Sequence, residues 1–482
     1  MISTLPLVIP PTLALSFACS NSYCIPAAMS FSFKQASLCI GIVSLSIFNL
    51  VEAAATKFTA SSDPIRRQHS ALRARQRDGS FTPVIGCGTP VDRRGVDDLQ
   101  ANYPDVFNML LLALQGVQNV AEDDDLSYYQ ISGIHGYPYV PWQEDPSFVS
   151  PNPGRGYCTH SSAIFTTWHR PYLVLLEQLL CDQARSIAQQ FQGADAARYQ
   201  AAAEQVRIPY WDWSSRTTQS RIPAALKQAS ISVNAPGGPV SIANPLFSYR
   251  FLSPQPSDSG LRSQTVRSAS DDELFASFNS RRQSTLNLFT DSAYNQFSSD
   301  VENIHNTIHV QVGGNMVYVS QSAFDPIFFL HHANVDRLTA MYQATHPGLT
   351  LTPQGRSPTF ALGGPGPDDV NTALFPFRHP DRNQWTSNDV SNAQSIFTYG
   401  YSYPEVPQGL STADLQSFTT QRVNELYAPQ PAAPAFARFF VGVESGIPDS
   451  KSKLAARFSC ILADQSLQYQ PHAWNGAPTY KC

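Results

Sequence analysis

The sequence predicts a mainly α-helical protein with long loops and few short strands, and three observations carry that expectation. Apolar residues recur at three- and four-residue steps in several stretches. Two histidines, His305 and His309, stand one helical turn apart, so on a helix both rings leave the same face. Between the periodic stretches lie long Pro-, Gly- and Ser-rich segments, drawn from 37 prolines in 482 residues, which read as loops. A chain of this length with 42% hydrophobic and 14% charged residues can bury a large core. Its net charge of −5, with no basic tract interleaved with aromatics, gives a nucleic acid nothing to hold.

Residues 1–55 differ from all that follows. They are apolar, with Lys34 as their only base and Glu52 as their only acid. From Met29, Lys34 supplies a short positive region, residues 37–50 an apolar run and Glu52-Ala-Ala-Ala55 a small-residue cleavage site, so a secretory signal is expected to end near Ala55. A membrane anchor is the alternative, and residues 1–28 have no assigned role. Removal of this segment leaves Cys87, Cys158, Cys181, Cys460 and Cys482, an odd number, which flags one cysteine with different chemistry. No Asn-x-Ser/Thr acceptor occurs, so glycosylation adds nothing to the case for export.

Residues 56–80, Ser-, Arg- and Gln-rich, read as a flexible N-terminus, and the core is expected to begin near 81. Val106, Phe107, Leu110, Leu111, Leu114 and Val117 line one face of a helix over 105–121, with Pro104 as a start signal. The pattern repeats over 161–190 after a serine cap, with His160 at its entrance and His169 about two and a half turns in. The stretch 214–285 reads as a surface spacer. Helical spacing returns over 298–312 and 331–345, with Gly313-Gly314 and Asp325-Pro326 as breakers. A loop follows over 350–392, then the aromatic block 397–404, a helix over 411–427 and a Pro-rich linker over 428–435. A short extension, 436–482, opens with a strand-like run.

The chemistry lies in the histidines. His135, His160 and His169 form one cluster, and His305, His309 and His332 another, with no carboxylate standing in for a ligand. Three and three imidazoles suggest two metal ions. Imidazole suits copper, zinc, iron and nickel, and on the affinity order copper is preferred over zinc.

The surrounding residues carry a resemblance. Asp325-Pro-Ile-Phe-Phe-Leu-His-His-Ala-Asn-Val-Asp336 resembles the second copper signature of the tyrosinase, catechol oxidase and haemocyanin family. Thr167-Trp-His-Arg-Pro-Tyr172 resembles its first, Ile134-His135-Gly136 its loop-borne first ligand, and Arg207-Ile-Pro-Tyr-Trp-Asp-Trp213 another family stretch. The resemblance spans roughly 81–427 and is nearest to the ascomycete tyrosinases. It implies a four-helix bundle holding a type 3 dicopper centre, with two copper ions as cofactor and O2 as co-substrate. Small phenols would be oxidised to ortho-quinones.

The resemblance also implies individual roles. His332 takes the sixth ligand place and His331 stands behind the ligands. Cys158, two residues before His160, lies at the spacing of a cysteine–histidine thioether; a plain thiol or a disulfide is the alternative. Glu302 and Asn306 resemble the acid and amide that hold a water able to deprotonate a monophenol, against the alternative of a surface pair. Asp336 is expected to orient a group behind the ligands or to form a surface ion pair, and Phe328 to pack on a ligand or simply fill the core. The Tyr399-Gly-Tyr401 block resembles a tyrosine motif that pairs with an N-terminal arginine, Arg93 or Arg94. His69, His346, His379 and His472 match no ligand spacing and read as surface residues.

Three functions remain open on the sequence alone. One is a tyrosinase that hydroxylates monophenols and oxidises diphenols. The second is a catechol or ortho-aminophenol oxidase without the first activity. The third, of another class, is a haemocyanin-like oxygen carrier, against which stand the expected export, the thioether and the absence of the additional domains that large carriers use.

Overall fold

A computed structural model describes residues 81–429. The expected signal, the flexible N-terminus, Cys19, Cys24, Cys39, Cys460, Cys482, His69, His472 and the strand-like run after 435 lie outside the described residues. Helices dominate. We label the six that position the site: α1 (Pro104–Gln118), α2 (Tyr128–His135), α3 (Phe165–Ala188), α4 (Tyr294–Val312), α5 (Ile327–Thr345) and α6 (Thr412–Tyr427). The strands are short and pair only two by two.

Four of these helices make the bundle. The central one, α3, packs against α1, α4 and α5, and α4 touches α5. On α1 the expected stripe, Val106, Phe107, Leu110, Leu111, Leu114 and Val117, is buried. The helix begins with Pro104 at its first turn, where a missing N–H costs nothing. The helices α2 and α6 are capped by Ser127 and Ser411, whose hydroxyls accept from the N–H of Gln130 and Asp414. No residue of α5 is exposed, so it runs through the middle of the core.

Four expectations are corrected. The helix expected over 161–190 starts four residues later, at Phe165, so His169 lies only about one turn in. Its serines are spent elsewhere: the Ser161 N–H donates to Glu302 and the Ser162 hydroxyl to Asp368. The helix expected from 331 begins at Ile327, because Asp325 accepts the Ile327 and Phe328 N–H groups and turns Asp325-Pro326 into a start. The stretch 214–285 is more than a surface spacer. It carries an antiparallel hairpin, Ser230–Ala235 with Gly238–Ala243, and buries Leu226, Val233, Leu246, Tyr249 and Phe251. Its polar composition misleads because side chains such as Asn244 and Arg267 turn inward and serve main-chain carbonyls. The loop 350–392 likewise contains a pair of short strands, Ala373–Arg378 with Gln384–Thr386.

The chain is closed on itself by Val91–Asp92 pairing in parallel with Tyr401–Ser402. Cys87 and Cys181 form a disulfide across a sequence separation of 94, tying the N-terminal segment to α3. Among the described residues no helix is long and apolar enough to cross a membrane.

Candidate metal centre

The first cluster is built from three pieces of backbone. His135 is the last residue of α2, and its Nδ1–H donates to the Val319 carbonyl at 2.9 Å. His160 stands half-buried on the loop before α3. That loop is laid against the end of α2: the Tyr157 N–H donates to the Ile134 carbonyl at 3.0 Å. Gly156 passes so close that a Cβ there would lie 1.9 Å from the His135 carbonyl oxygen, which only glycine avoids. His169, on α3, donates its Nδ1–H to the Phe165 carbonyl one turn back at 2.8 Å.

The second cluster comes from α4 and α5. His305 and His309 share one face of α4 with ring centroids 4.4 Å apart. The His309 Nδ1–H donates to the Met316 carbonyl at 2.7 Å, and the His305 Nδ1–H to Asn306 Oδ1 at 3.1 Å. From α5 come both His331 and His332. The ligand atoms of His305, His309, His331 and His332 lie within 4.8 Å of one another, and those of His135, His160 and His169 satisfy the same limit. The clusters face each other: His169 stacks on His332 at 4.4 Å, and His160 lies 6.0 Å from His305.

These contacts decide what the rings offer. A carbonyl oxygen can only accept, so His135, His169 and His309 carry their proton on Nδ1 and turn a lone pair outward at Nε2. The Nε2 atoms of His135 and His169 are buried and have no hydrogen-bond partner among the described residues. The Nε2 atoms of His305 and His332 lie 3.1 Å apart, near enough for one ion to take both, since metal–imidazole bonds run about 2.0–2.1 Å. Burial holds the rings neutral, pushing His169 down to about 3 and His309 to about 4; His135, His160, His305 and His332 are also driven well below the usual imidazole value, by burial and then by neighbouring imidazoles. Neutral, convergent nitrogen donors without a carboxylate fit copper, so the residues present suit a pair of copper ions.

The neighbours take defined places. Phe328 is both core and ring partner, fully buried with its centroid 4.1 Å from His332 and 4.8 Å from His135. Glu302, buried on α4 one turn before His305, accepts the Ser161 N–H at 2.7 Å; Ser161 itself has a left-handed φ of 52°. Glu302 thereby ties α4 to the loop that carries His160. Cys158 is half-buried on that same loop.

Asp336 is buried, so the alternative of a surface ion pair falls. It accepts from Arg170 at 2.6 Å, Arg93 at 3.1 Å, and the Tyr401 and Tyr403 hydroxyls at 2.8 Å each. Burial alone would raise its pKa, but Arg170 and Arg93 hold it below the usual carboxylate value. Arg93 is the arginine of the tyrosine motif: its guanidinium lies 3.6 Å above Tyr401 and donates to Tyr403 at 3.0 Å, whereas Arg94 lies over Tyr103. Tyr399 is not part of it and packs on Trp385. His346 and His379 stand apart from both clusters, as expected, but are half-buried, stacked on Tyr342 and Trp385. Sequence reasoning assigned no role to Trp213, Arg170 or Glu177. Both charged residues lie on α3, and a charge within its apolar run was the available signal.

A helical bundle that turns seven imidazoles inward as two facing clusters defines a binuclear metal protein with nitrogen donors. Residues 125–345 match the common central domain of tyrosinase. The chain is 36% identical to a tyrosinase of Neurospora crassa over 424 residues, which is 78% of this chain and 61% of that protein. It is also 36% identical to a tyrosinase of Podospora anserina over 394 residues, 73% of this chain and 67% of that protein. Among solved structures, recombinant mushroom tyrosinase aligns with a TM-score of 0.67 at 28% identity, covering 74% of this chain and 69% of that one. The chain belongs to the tyrosinase family, whose members hold a type 3 pair of copper ions. It spans about three fifths to two thirds of the length of these two relatives.

Proposed function

We propose that this chain is a copper-dependent phenol oxidase that uses O2 to ortho-hydroxylate monophenols and to oxidise ortho-diphenols to ortho-quinones. The observation that carries it is the pair of facing imidazole clusters with lone pairs turned inward. His135, His160 and His169 would hold one copper and His305, His309 and His332 the other, within a catalytic domain spanning 81–427. The copper pair, when bound, supplies the redox chemistry with O2. Everything else falls to the chain's own residues. Backbone carbonyls fix the rings of His135, His169 and His309, and Phe328 packs against His135 and His332.

Glu302 and Asn306 are assigned to the monophenol step. A phenol has a pKa of about 10 in water, so binding as phenolate needs a base. Glu302 and Asn306 stand four residues apart on α4, so their side chains leave the same face and can hold one water between them. Cys158 is assigned to a thioether with His160, which would fix the ring of the histidine that stands on a loop. An intact mass of the denatured, reduced chain tests this: a deficit of one hydrogen pair is expected, and its absence removes the cross-link. The disulfide between Cys87 and Cys181 supports folding in an oxidising compartment and hence secretion through the segment ending near Ala55.

Oxygen uptake by the copper-loaded protein with tyrosine and with a catechol tests the whole reading. Uptake with both substrates is expected. Uptake with the catechol alone would reduce the function to diphenol oxidation, and uptake with neither would leave an oxygen carrier.

A further inference from the structure

The second cluster offers four rings where the first offers three. His331 and His332 are neighbours on α5, and both are fully buried. The spacing of ring centroids does not separate them. His331 lies 4.9 Å from His305 and 5.0 Å from His309, while His332 lies 4.7 and 5.7 Å from the same two rings.

The back of the ring does separate them from one another. The indole Nε1 of Trp213 lies 3.1 Å from His331 Nδ1. An indole N–H can only donate, so His331 Nδ1 must accept. A neutral imidazole has one N–H, which on His331 is therefore placed on Nε2. That nitrogen faces the cluster with a proton and has no lone pair to give a metal ion. His135, His169 and His309 have the opposite arrangement, each backed by a carbonyl that draws the proton to Nδ1 and bares Nε2. Trp213 is itself fixed: it is fully buried, its main-chain N–H donates to the Trp211 carbonyl at 3.0 Å, and its own carbonyl accepts the Ser220 hydroxyl at 2.6 Å.

We propose that Trp213 is a positioning residue that sorts the adjacent histidines, holding the proton on Nε2 of His331 so that only His332 completes the second set of ligands. One donor on the neighbouring 207–213 stretch thus keeps the second ion at three imidazoles and leaves room for a substrate or O2. The consequence for the ion rests on the dicopper reading; the position of the proton does not.

Nitrogen-15 NMR of the copper-free chain labelled in its histidines tests the proposal, with His331→Gln used to assign the His331 signals. An acceptor-type Nδ1 and a protonated Nε2 are expected; a protonated Nδ1 overturns it. In Trp213→Phe the His331 proton is expected to move predominantly to Nδ1, and an unchanged spectrum overturns it. If that variant does not fold, the unaltered chain decides alone. Copper analysis supplies the third measurement: His331→Gln is expected to retain both ions per chain, and loss of one ion overturns the proposal. Should the unaltered chain fail to take two copper ions, the dicopper reading falls, while the nitrogen spectrum still decides the hold of Trp213 on His331.

Discussion

Two buried polar regions lie side by side in this core and are built on opposite rules. Around Asp336 every carboxylate oxygen is used: Arg93 grips Glu177 through two nitrogens at 2.7 and 3.1 Å, and Asp336 receives two arginines and two tyrosines. In the histidine clusters a main-chain carbonyl satisfies the back of His135, His169 and His309, while Nε2 of His135 and His169 and Nδ1 of His332 have no partner among the described residues. Burying a polar atom without a partner costs free energy, so such atoms persist where something else repays the cost. The comparison separates a network that holds the fold from a network that holds a ligand. The two meet on α3, where His169 and Arg170 are consecutive and point into different regions.

The largest expected effect comes from breaking the second region. His309→Gln should reduce copper from two ions to one per chain and abolish oxygen uptake with a catechol. The copper-free fold should lose only about 1 kcal/mol, the worth of the bond to Met316. Metal analysis and denaturant unfolding of the copper-free chain check both halves; a loss of several kcal/mol would erase the distinction between the regions. Asp336→Asn is the converse. It leaves Arg93 and Arg170 underpaired in the core and should cost about 3–5 kcal/mol, while protein kept below its melting temperature still binds two copper ions. Asp336 has a depressed folded-state pKa, so its contribution is present above the ordinary value of 3.8 and is lost as pH falls below it. The acid limb of the stability curve should therefore be shallower in the variant, and an unchanged limb would deny Asp336 this role.

The sequence carried the helices and histidine clusters further than it carried the polar network. Periodic apolar residues announced α1, and the spacing of His305 and His309 announced a shared face, because both depend on local geometry alone. The start of α3 was misplaced because Ser161 and Ser162 look like caps yet bond to Glu302 and Asp368, residues far away in the chain. The partners of Asp336 were illegible for a similar reason: they come from residues 93, 170, 401 and 403, and no local pattern links them. Composition misled over 214–285, where an arginine that reads as surface charge, Arg267, turns inward onto carbonyls and Asp325. His331 and His332 could be told apart only by resemblance, since adjacency in sequence does not reveal which ring is backed by an indole.

Glu302 joins the comparison because it is structural on one side and is assigned to chemistry on the other. Glu302→Gln keeps an oxygen for the Ser161 N–H while removing the charge. Monophenol kcat/KM should fall on the order of 10²-fold, the usual worth of a general base, with diphenol turnover changed much less. Glu302→Leu removes the acceptor as well and should weaken both activities by releasing the His160 loop. Equal losses for both substrates in the Gln variant would reduce Glu302 to a clamp.

The smallest effect tests whether the two clusters behave as one site. Phe328 touches a member of each, His332 at 4.1 Å and His135 at 4.8 Å, and is itself wholly buried. Phe328→Leu keeps an apolar residue of smaller volume, so the stability loss should be modest, about 1–2 kcal/mol. Both flanking rings then lose the surface that fixes their tilt. Because the shared contact reaches both clusters, removal of copper by a chelator should accelerate for both ions together, by roughly tenfold at most. Faster loss of one ion alone would mean that each cluster is held by its own backbone carbonyls and that Phe328 serves only the core.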